Sequence, residues 1–437
     1  MGSADILLFG TAMVGIALLI LGAATFELSR NYRSGGTLMG IGLGLGILAF
    51  SAKLLLIVAF LAFGDDYFAR FPPQVPRSNE SVAWQPGPGT AAPLPQAYVW
   101  EALPPAPPEP RTNPSTPEKV ALGKALFHDP RLSVNDQMSC ASCHDIHRYG
   151  GGDGQQVASG FAGQQGTRNT PTVVNAAYQS VLFWDGRARS LEEQAKGPLV
   201  NPIEMGMPDH RTVANKVAAI PEYREAFALV FGGPAPVTID HIAMAIAAYE
   251  RTLITPNTPY DRFVRGDSSA MTEQQVRGMA LFAEFGCVMC HRGPNFSDAS
   301  LVGGATPFRA FPSLPATEYE ARYHLTRDRG LAASSGHGGI WRIPSLRNVT
   351  RTAPYFHNGS VTTLPEAVRI MAQVQLGKPA SNGDRADWRT TWSPVTHTTE
   401  ARANHAISDA EVDDIVAFLR ALEDEVRVDA PRAASAP

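Results

Sequence analysis

The chain lacks what a nucleic-acid binder needs. Its 437 residues contain no Lys/Arg-dense run, and the formal net charge is -4, too mild a balance for a phosphate-tracking surface. Strand-like alternation is also sparse, so the soluble part is predicted to be mainly α with long loops. Cysteine is scarcer still. There are four, and none lies outside two short units: "CASCH" (Cys140, Cys143, His144) and "CVMCH" (Cys287, Cys290, His291).

A Cys-x-x-Cys-His unit reads as c-type haem attachment. Its two sulfurs form thioethers to the vinyl groups, and the adjacent histidine is the axial ligand. One such pentapeptide alone reads as well as a zinc or redox Cys-x-x-Cys. Two copies that use every cysteine point instead to two covalently bound haem c groups. Covalent attachment places them outside the cytoplasm, in a bacterial periplasm or its equivalent.

The N-terminus fits that location. "ILLFGTAMVGIALLILGAATF" (Ile6–Phe26) and "LMGIGLGLGILAFSAKLLLIVAFLAF" (Leu38–Phe63) each supply the roughly 20 apolar residues that cross a bilayer. Arg30 and Arg33 in the short connection keep it cytoplasmic, so both ends of the hairpin face outward. The expected organisation begins with an anchor over 1–70, with transmembrane helices at about 6–28 and 38–63. A cleaved signal peptide explains the first segment but leaves the second unexplained. Lys53, inside the second span, is read as snorkelling towards the interface.

From 71 to 112 the chain is dense in proline, with "FPPQVP", "QPGPG" and "LPPAPPEP". Such composition favours extended polyproline geometry, a stiff periplasmic linker holding the soluble module off the membrane. Trp84, Tyr98 and Trp100 within it either pack on that module or sit at the membrane surface.

An internal repeat follows. "TPEKVALGKALFHDPRLSVNDQMSCASCH" and "TEQQVRGMALFAEFGCVMCH" share a capping-type start, then Val, Gly and Leu-Phe, then the haem motif. Each copy is followed by a closing apolar helix, "IAAYERTL" and "IVAFLRAL". The predicted fold class is therefore mainly α, with two tandem cytochrome c-like haem domains after two transmembrane helices. Their spans are 113–266 and 267–427, with a disordered tail over 428–437.

The second iron needs a sixth ligand, and a thioether there suits electron transfer. The first site must split an O–O bond if it does chemistry. That takes an open iron position, a group that moves a proton between oxygens, and a donor that steadies developing charge.

The chain from about Asn113 to Val426 resembles the bacterial di-haem cytochrome c peroxidase family, which includes MauG-like enzymes. The resemblance rests on both haem motifs, "FWDGRARSLEEQAKGPLVNPIEMGMP" and "IPSLRNVTRTAPYFHNGSVTTLPEAVRIMAQVQLG". It implies that Met371 is the second ligand of the His291 haem; MauG-like enzymes carry tyrosine there. It implies that Glu204 is the catalytic glutamate and Gln194 its neighbouring glutamine. Trp184 then lies between the haems as an electron relay, with plain core packing as its alternative. Asn169, Thr352 and Pro354 match positions that hold a calcium ion, and His357 matches a histidine with a structural hydrogen-bonding role.

In many members a histidine from the loop after the first motif caps the peroxidatic haem until the other haem is reduced. Here Phe161 falls at that position and cannot bind iron. His147 is too close in sequence to the proximal ligand to reach the other face. His128, His210 and His337 remain open by sequence.

The resemblance implies reduction of hydrogen peroxide to water by a small c-type cytochrome or cupredoxin donor. The enzyme would be anchored in the bacterial inner membrane with its catalytic domains in the periplasm, and a homodimer is expected. The alternatives are a MauG-like oxidase that modifies a partner protein, and a non-enzymatic electron-transfer subunit.

Overall fold

The computed structural model describes residues 98–148, 150–314, 318–331, 338–377 and 406–426. The two apolar spans, Lys53, Trp84, His337 and the 428–437 tail lie outside the described residues. Among the described residues no helix is long and apolar enough to cross a membrane.

Two helical pairs organise the chain. In the first half, α1 (Pro117–His128) starts at Thr116, whose hydroxyl accepts from the Lys119 N–H, with proline at N1 and Glu118 in the first turn. Each feature favours a helix start. It packs on the closing helix, here α5 (Ile239–Glu250), which Thr238 caps in the same way. Between them in sequence lie α2 (Leu191–Val200), α3 (His210–Ala218) and α4 (Pro221–Phe231). Their apolar faces share one core with Leu126, Phe127, Phe227, Ile242 and Ile246.

The second half repeats the arrangement. Helix α6 (Glu273–Glu284) packs on α8 (Asp409–Arg420), each opened by a capping box, Thr272 with Gln275 and Ser408 with Glu411. Phe282, Phe296 and Phe418 sit at the centre of this core. Helix α7 (Leu364–Ile370) lies alongside.

The repeat seen in sequence has a packing cause. A Cβ on Gly123 would stand 1.8 Å from the Ala245 carbonyl oxygen and 3.0 Å from Tyr249 Cβ. On Gly278 it would stand 1.8 Å from the Asp414 oxygen and 2.9 Å from Phe418 Cβ. Both helix pairs cross with backbones in contact, which only glycine permits. The shared Val, Gly and Leu-Phe pattern is thus one crossing used twice.

Among the described residues strand content is low, as predicted. One two-stranded antiparallel sheet, β1 (Phe308–Phe311) and β2 (Gly339–Arg342), pairs Phe308 with Arg342.

Tyr98 and Trp100 pack on the soluble module. Tyr98 accepts a hydrogen bond from the Gly293 N–H at 3.1 Å, and Trp100 packs against Tyr260, Phe296 and Phe418. Leu103 is fully buried, and its N–H donates to Asp261 at 2.8 Å. An extended segment makes no hydrogen bonds of its own, so these partners come from the folded module, from Tyr260 and Asp261 as well as from Gly293, Phe296 and Phe418. The expected linker over 71–112 is therefore seated on the module from Tyr98 onward.

Candidate functional site

Each Cys-x-x-Cys-His unit forms a tight turn in which the histidine N–H donates to the first cysteine's carbonyl, at 2.9 Å in both cases. His144 Nδ1 lies 2.9 Å from the Gly151 carbonyl, and His291 Nδ1 lies 3.2 Å from the Phe296 carbonyl. A carbonyl only accepts, so Nδ1 carries the proton and Nε2 keeps its lone pair for a metal. Burial pushes both imidazoles below their ordinary pKa, which keeps them neutral and ligand-competent.

The cysteines do not suit a thiolate metal site. Burial raises Cys140 to about 12 and Cys143 to about 11, whereas reactive or zinc-binding cysteines sit where the thiolate is favoured. Among the described residues no group of three His, Cys, Asp or Glu side chains could hold a metal ion. Neutral sulfur is what a thioether link uses.

His144 and His291 line one continuous cavity. Its wall is largely apolar, with Val173, Val174, Leu182, Phe282, Phe285 and Leu346 among the lining residues. A largely apolar cavity lined by two imidazoles, each next to a half-buried pair of cysteines in its own motif, fits two haem groups.

The remaining expected residues divide. Met371 lines the same cavity as His291. It begins a π-helical turn, Met371–Gln375, that continues α7, a distortion often found at functional positions. Gln194, from α2, and Trp184 line the wall as well. Trp184 is fixed at both ends: its indole N–H donates to the Asn169 carbonyl at 2.8 Å, and its own carbonyl accepts from the Arg342 N–H at 2.9 Å. Asn169, Thr352 and Pro354 also lie in this wall. The Asn169 amide nitrogen donates to Gln155 O at 2.8 Å, which leaves its oxygen as the end free for a cation.

Glu204 is not among the residues lining this cavity. It sits half-buried on the turn after α2, where Asn201 Nδ2 donates to Oε1 at 2.8 Å. Desolvation raises its pKa, against the lowering effect of Arg187 and that bond. Its charge acts on the Cys143 thiol, which places it at the edge of the first site.

Phe161 also stays out of the wall. Its N–H donates to the Glu204 carbonyl at 2.9 Å. A Cβ on Gly206 would meet the Phe161 ring at 2.4 Å, so the ring lies directly on that glycine. The loop thus clamps the Glu204 turn. Other histidines are engaged elsewhere: His128 Nδ1 with the Lys124 carbonyl, His210 Nε2 with the Lys196 carbonyl, and His147 is exposed. His357 does line the cavity, stacked on Trp341 at 4.0 Å, with its carbonyl accepting from Asn169 N–H.

Two buried charged residues of the wall escaped the sequence reading. Glu250, 4% exposed, ends α5 with one carboxylate oxygen unpartnered. Arg342 projects from β2. The signal for Glu250 was available, because it shares a helix face with Ala243 and Ala247, where a carboxylate is out of place. Nothing in the local pattern marked Arg342.

Residues 117–269 match the family model described as di-haem cytochrome c peroxidase. The cytochrome c551 peroxidase of Nitrosomonas europaea is 39% identical over 282 residues, covering 64% of this chain and 81% of that protein. The methylamine utilization protein MauG of Methylorubrum extorquens is 39% identical over 271 residues, 60% of this chain and 70% of that one. A crystal structure of a MauG-like protein associated with microbial copper homeostasis superposes with a TM-score of 0.61 at 30% identity, covering 77% of this chain and 98% of its own. With paired histidines facing one apolar cavity and these relatives beside it, the chain belongs to the di-haem cytochrome c peroxidase family.

Proposed function

We propose that this protein reduces hydrogen peroxide to water with electrons from a small periplasmic c-type cytochrome or cupredoxin, and that it does so without prior reductive activation. The observation that supports the reading is that His144, Gln194, His291 and Met371 all line one cavity, whereas Phe161 is not among its lining residues. Bound haem would supply the iron and its one-electron chemistry, attached through Cys140, Cys143, Cys287 and Cys290.

The protein's own part is to manage protons and position groups. Reduction of one peroxide consumes two electrons and two protons and yields two waters. Glu204, with its pKa raised by desolvation, is suited to take the proton from one peroxide oxygen and return it to the departing one. The Gln194 amide N–H steadies the charge on that departing oxygen. His144 and His291 would hold iron through Nε2, and Met371 would supply the thioether that favours electron transfer at the His291 haem. Trp184, held by hydrogen bonds with Asn169 and Arg342, would relay electrons between the two haems.

The same reading assigns a calcium ion to Asn169, Thr352 and Pro354, whose oxygens suit a hard cation. It assigns the apolar spans over Ile6–Phe26 and Leu38–Phe63 to an inner-membrane anchor, with the haem module in the periplasm, and it includes a homodimer.

A second reading, a MauG-like oxidase acting on a partner protein, gains from the absence of a capping histidine at Phe161. Met371 opposes it.

The test is the initial rate of peroxide turnover with a reduced small cytochrome c, comparing fully oxidised enzyme with enzyme pre-reduced by one electron. Equal rates are expected. A lag confined to oxidised enzyme would show another residue capping the iron, and no turnover in either state would favour the second reading or an electron carrier. Glu204→Gln should lower turnover by about 10²–10⁴-fold while haem content and visible spectrum stay unchanged.

A further inference from the structure

Three arginines are buried among the described residues: Arg251, Arg342 and Arg347. Two have carboxylates. Arg251 pairs with Glu192, and Arg347 makes a bidentate contact with Asp261 at 2.8 and 2.9 Å. Arg342 has none within bonding distance. Its Nε donates to the Phe183 carbonyl at 2.9 Å and its Nη1 to Gln179 Oε1 at 3.2 Å, both neutral acceptors. The carboxylate that acts on it from farther away, Asp185, is bonded to Arg168 and Arg187. Partly exposed Arg309, also in the cavity wall, already faces Asp298.

A buried guanidinium without an anion is expensive, so such groups are found paired. Burial here depresses the Arg342 pKa to about 10, which marks the missing counter-charge. Arg342 lines the cavity, so the counter-charge can come from what the cavity holds. The chain just beyond it belongs to the His291 side: Ile343 O accepts from Ser297, and Pro344 O bears on the His291 imidazole.

We infer that Arg342 is a carboxylate receptor for a propionate of the haem held by His291, and that the same residue positions Trp184. The second part follows from the main chain, since the Arg342 N–H holds the Trp184 carbonyl while Nε holds that of Phe183. A guanidinium suits both tasks. Its fixed fork binds a carboxylate while spare N–H groups keep carbonyl contacts. Arg342 is therefore a positioning residue, and its charge also favours the reduced state of that haem. The inference rests on the two-haem reading and not on peroxide as substrate.

The test uses the full-length holoprotein with Arg342→Gln and Arg342→Lys, each checked for two haems per chain. Redox titration of Arg342→Gln should show the His/Met haem about tenfold harder to reduce at a given potential, or ~59 mV for one electron, with the other haem nearly unmoved. Arg342→Lys should keep most of the potential. In both variants the resonance Raman propionate-bending band of that haem should shift, because the hydrogen bond changes. Unchanged potentials and an unmoved band in fully loaded protein would overturn the assignment. So would a shift confined to the His144 haem. If the Gln variant fails to load, the Raman band of the Lys variant decides. Because the readouts are potential and vibration, an enzyme without peroxide turnover leaves this test intact.

Discussion

Replacing Glu250 with glutamine should change how stability depends on pH. Glu250 is buried at the end of α5, with one oxygen unpartnered, and it faces the cavity. Desolvation raises its pKa from 4.5 to about 8; Arg251 opposes the rise and Glu192 adds to it. Arg251 gives little relief because it is bonded to Glu192. The folded chain therefore keeps the proton up to about pH 8, while the unfolded chain releases it near 4.5. Between those values the unfolded state binds fewer protons, so stability falls as pH rises. The gap, at about 1.36 kcal/mol per pH unit, is worth roughly 5 kcal/mol once pH exceeds the folded value. No penalty remains below 4.5. Glu250→Gln keeps the shape and removes the titration. Its unpaired amide adds an offset that is the same at every pH, so the informative quantity is the difference in slope. Urea unfolding of the holoprotein from pH 5 to pH 9 should show the variant gaining on the wild type by up to several kcal/mol. Parallel curves across that range would refute the reasoning, because they would mean Glu250 is not buried as an acid.

Three further outcomes are expected. Asp261→Ala removes the acceptor for Leu103 N–H, Thr258 and both Arg347 nitrogens. It should cost about 3–5 kcal/mol in urea unfolding by stranding a fully buried cation, and pairing it with Arg347→Met should recover part of the loss. Gly278→Ala gains about 1 kcal/mol of helix propensity but places a Cβ 1.8 Å from the Asp414 carbonyl oxygen. A thermal melt should therefore show net destabilisation from the forced separation of α6 and α8. Met371→Ala should leave covalent haem content unchanged but lower the potential of the His291 haem, as removal of a thioether ligand implies; a redox titration with an unmoved potential would reject Met371 as that ligand.

Much of this protein is legible in its sequence because the deciding interactions are local. Cys140, Cys143 and His144 stand within one turn, as do Cys287, Cys290 and His291, so spacing alone implies attachment. Caps such as Thr116, Thr272 and Ser408 act on N–H groups three residues away. The twofold repeat was also visible, although its reason was not. That reason, the backbone contacts at Gly123 and Gly278, needs partners more than a hundred residues away. Trp100 shows the same limit: a proline-rich stretch reads as extended, but only the aromatic cluster of Phe296 and Phe418 decides where its tryptophan packs.

By itself the sequence determined two attachment motifs, a mainly helical chain and the residue types that divide the two halves. Only the tertiary structure decided that Phe161 lies on Gly206 with its N–H bonded to Glu204, that Gln194 lines the cavity while Glu204 stands at its edge, and that Glu250 and Arg342 are buried facing it. For the four polar residues among them the physical reason is the same. Whether a polar side chain is solvated or stranded depends on what covers it, and the covering groups come from elements distant in the chain.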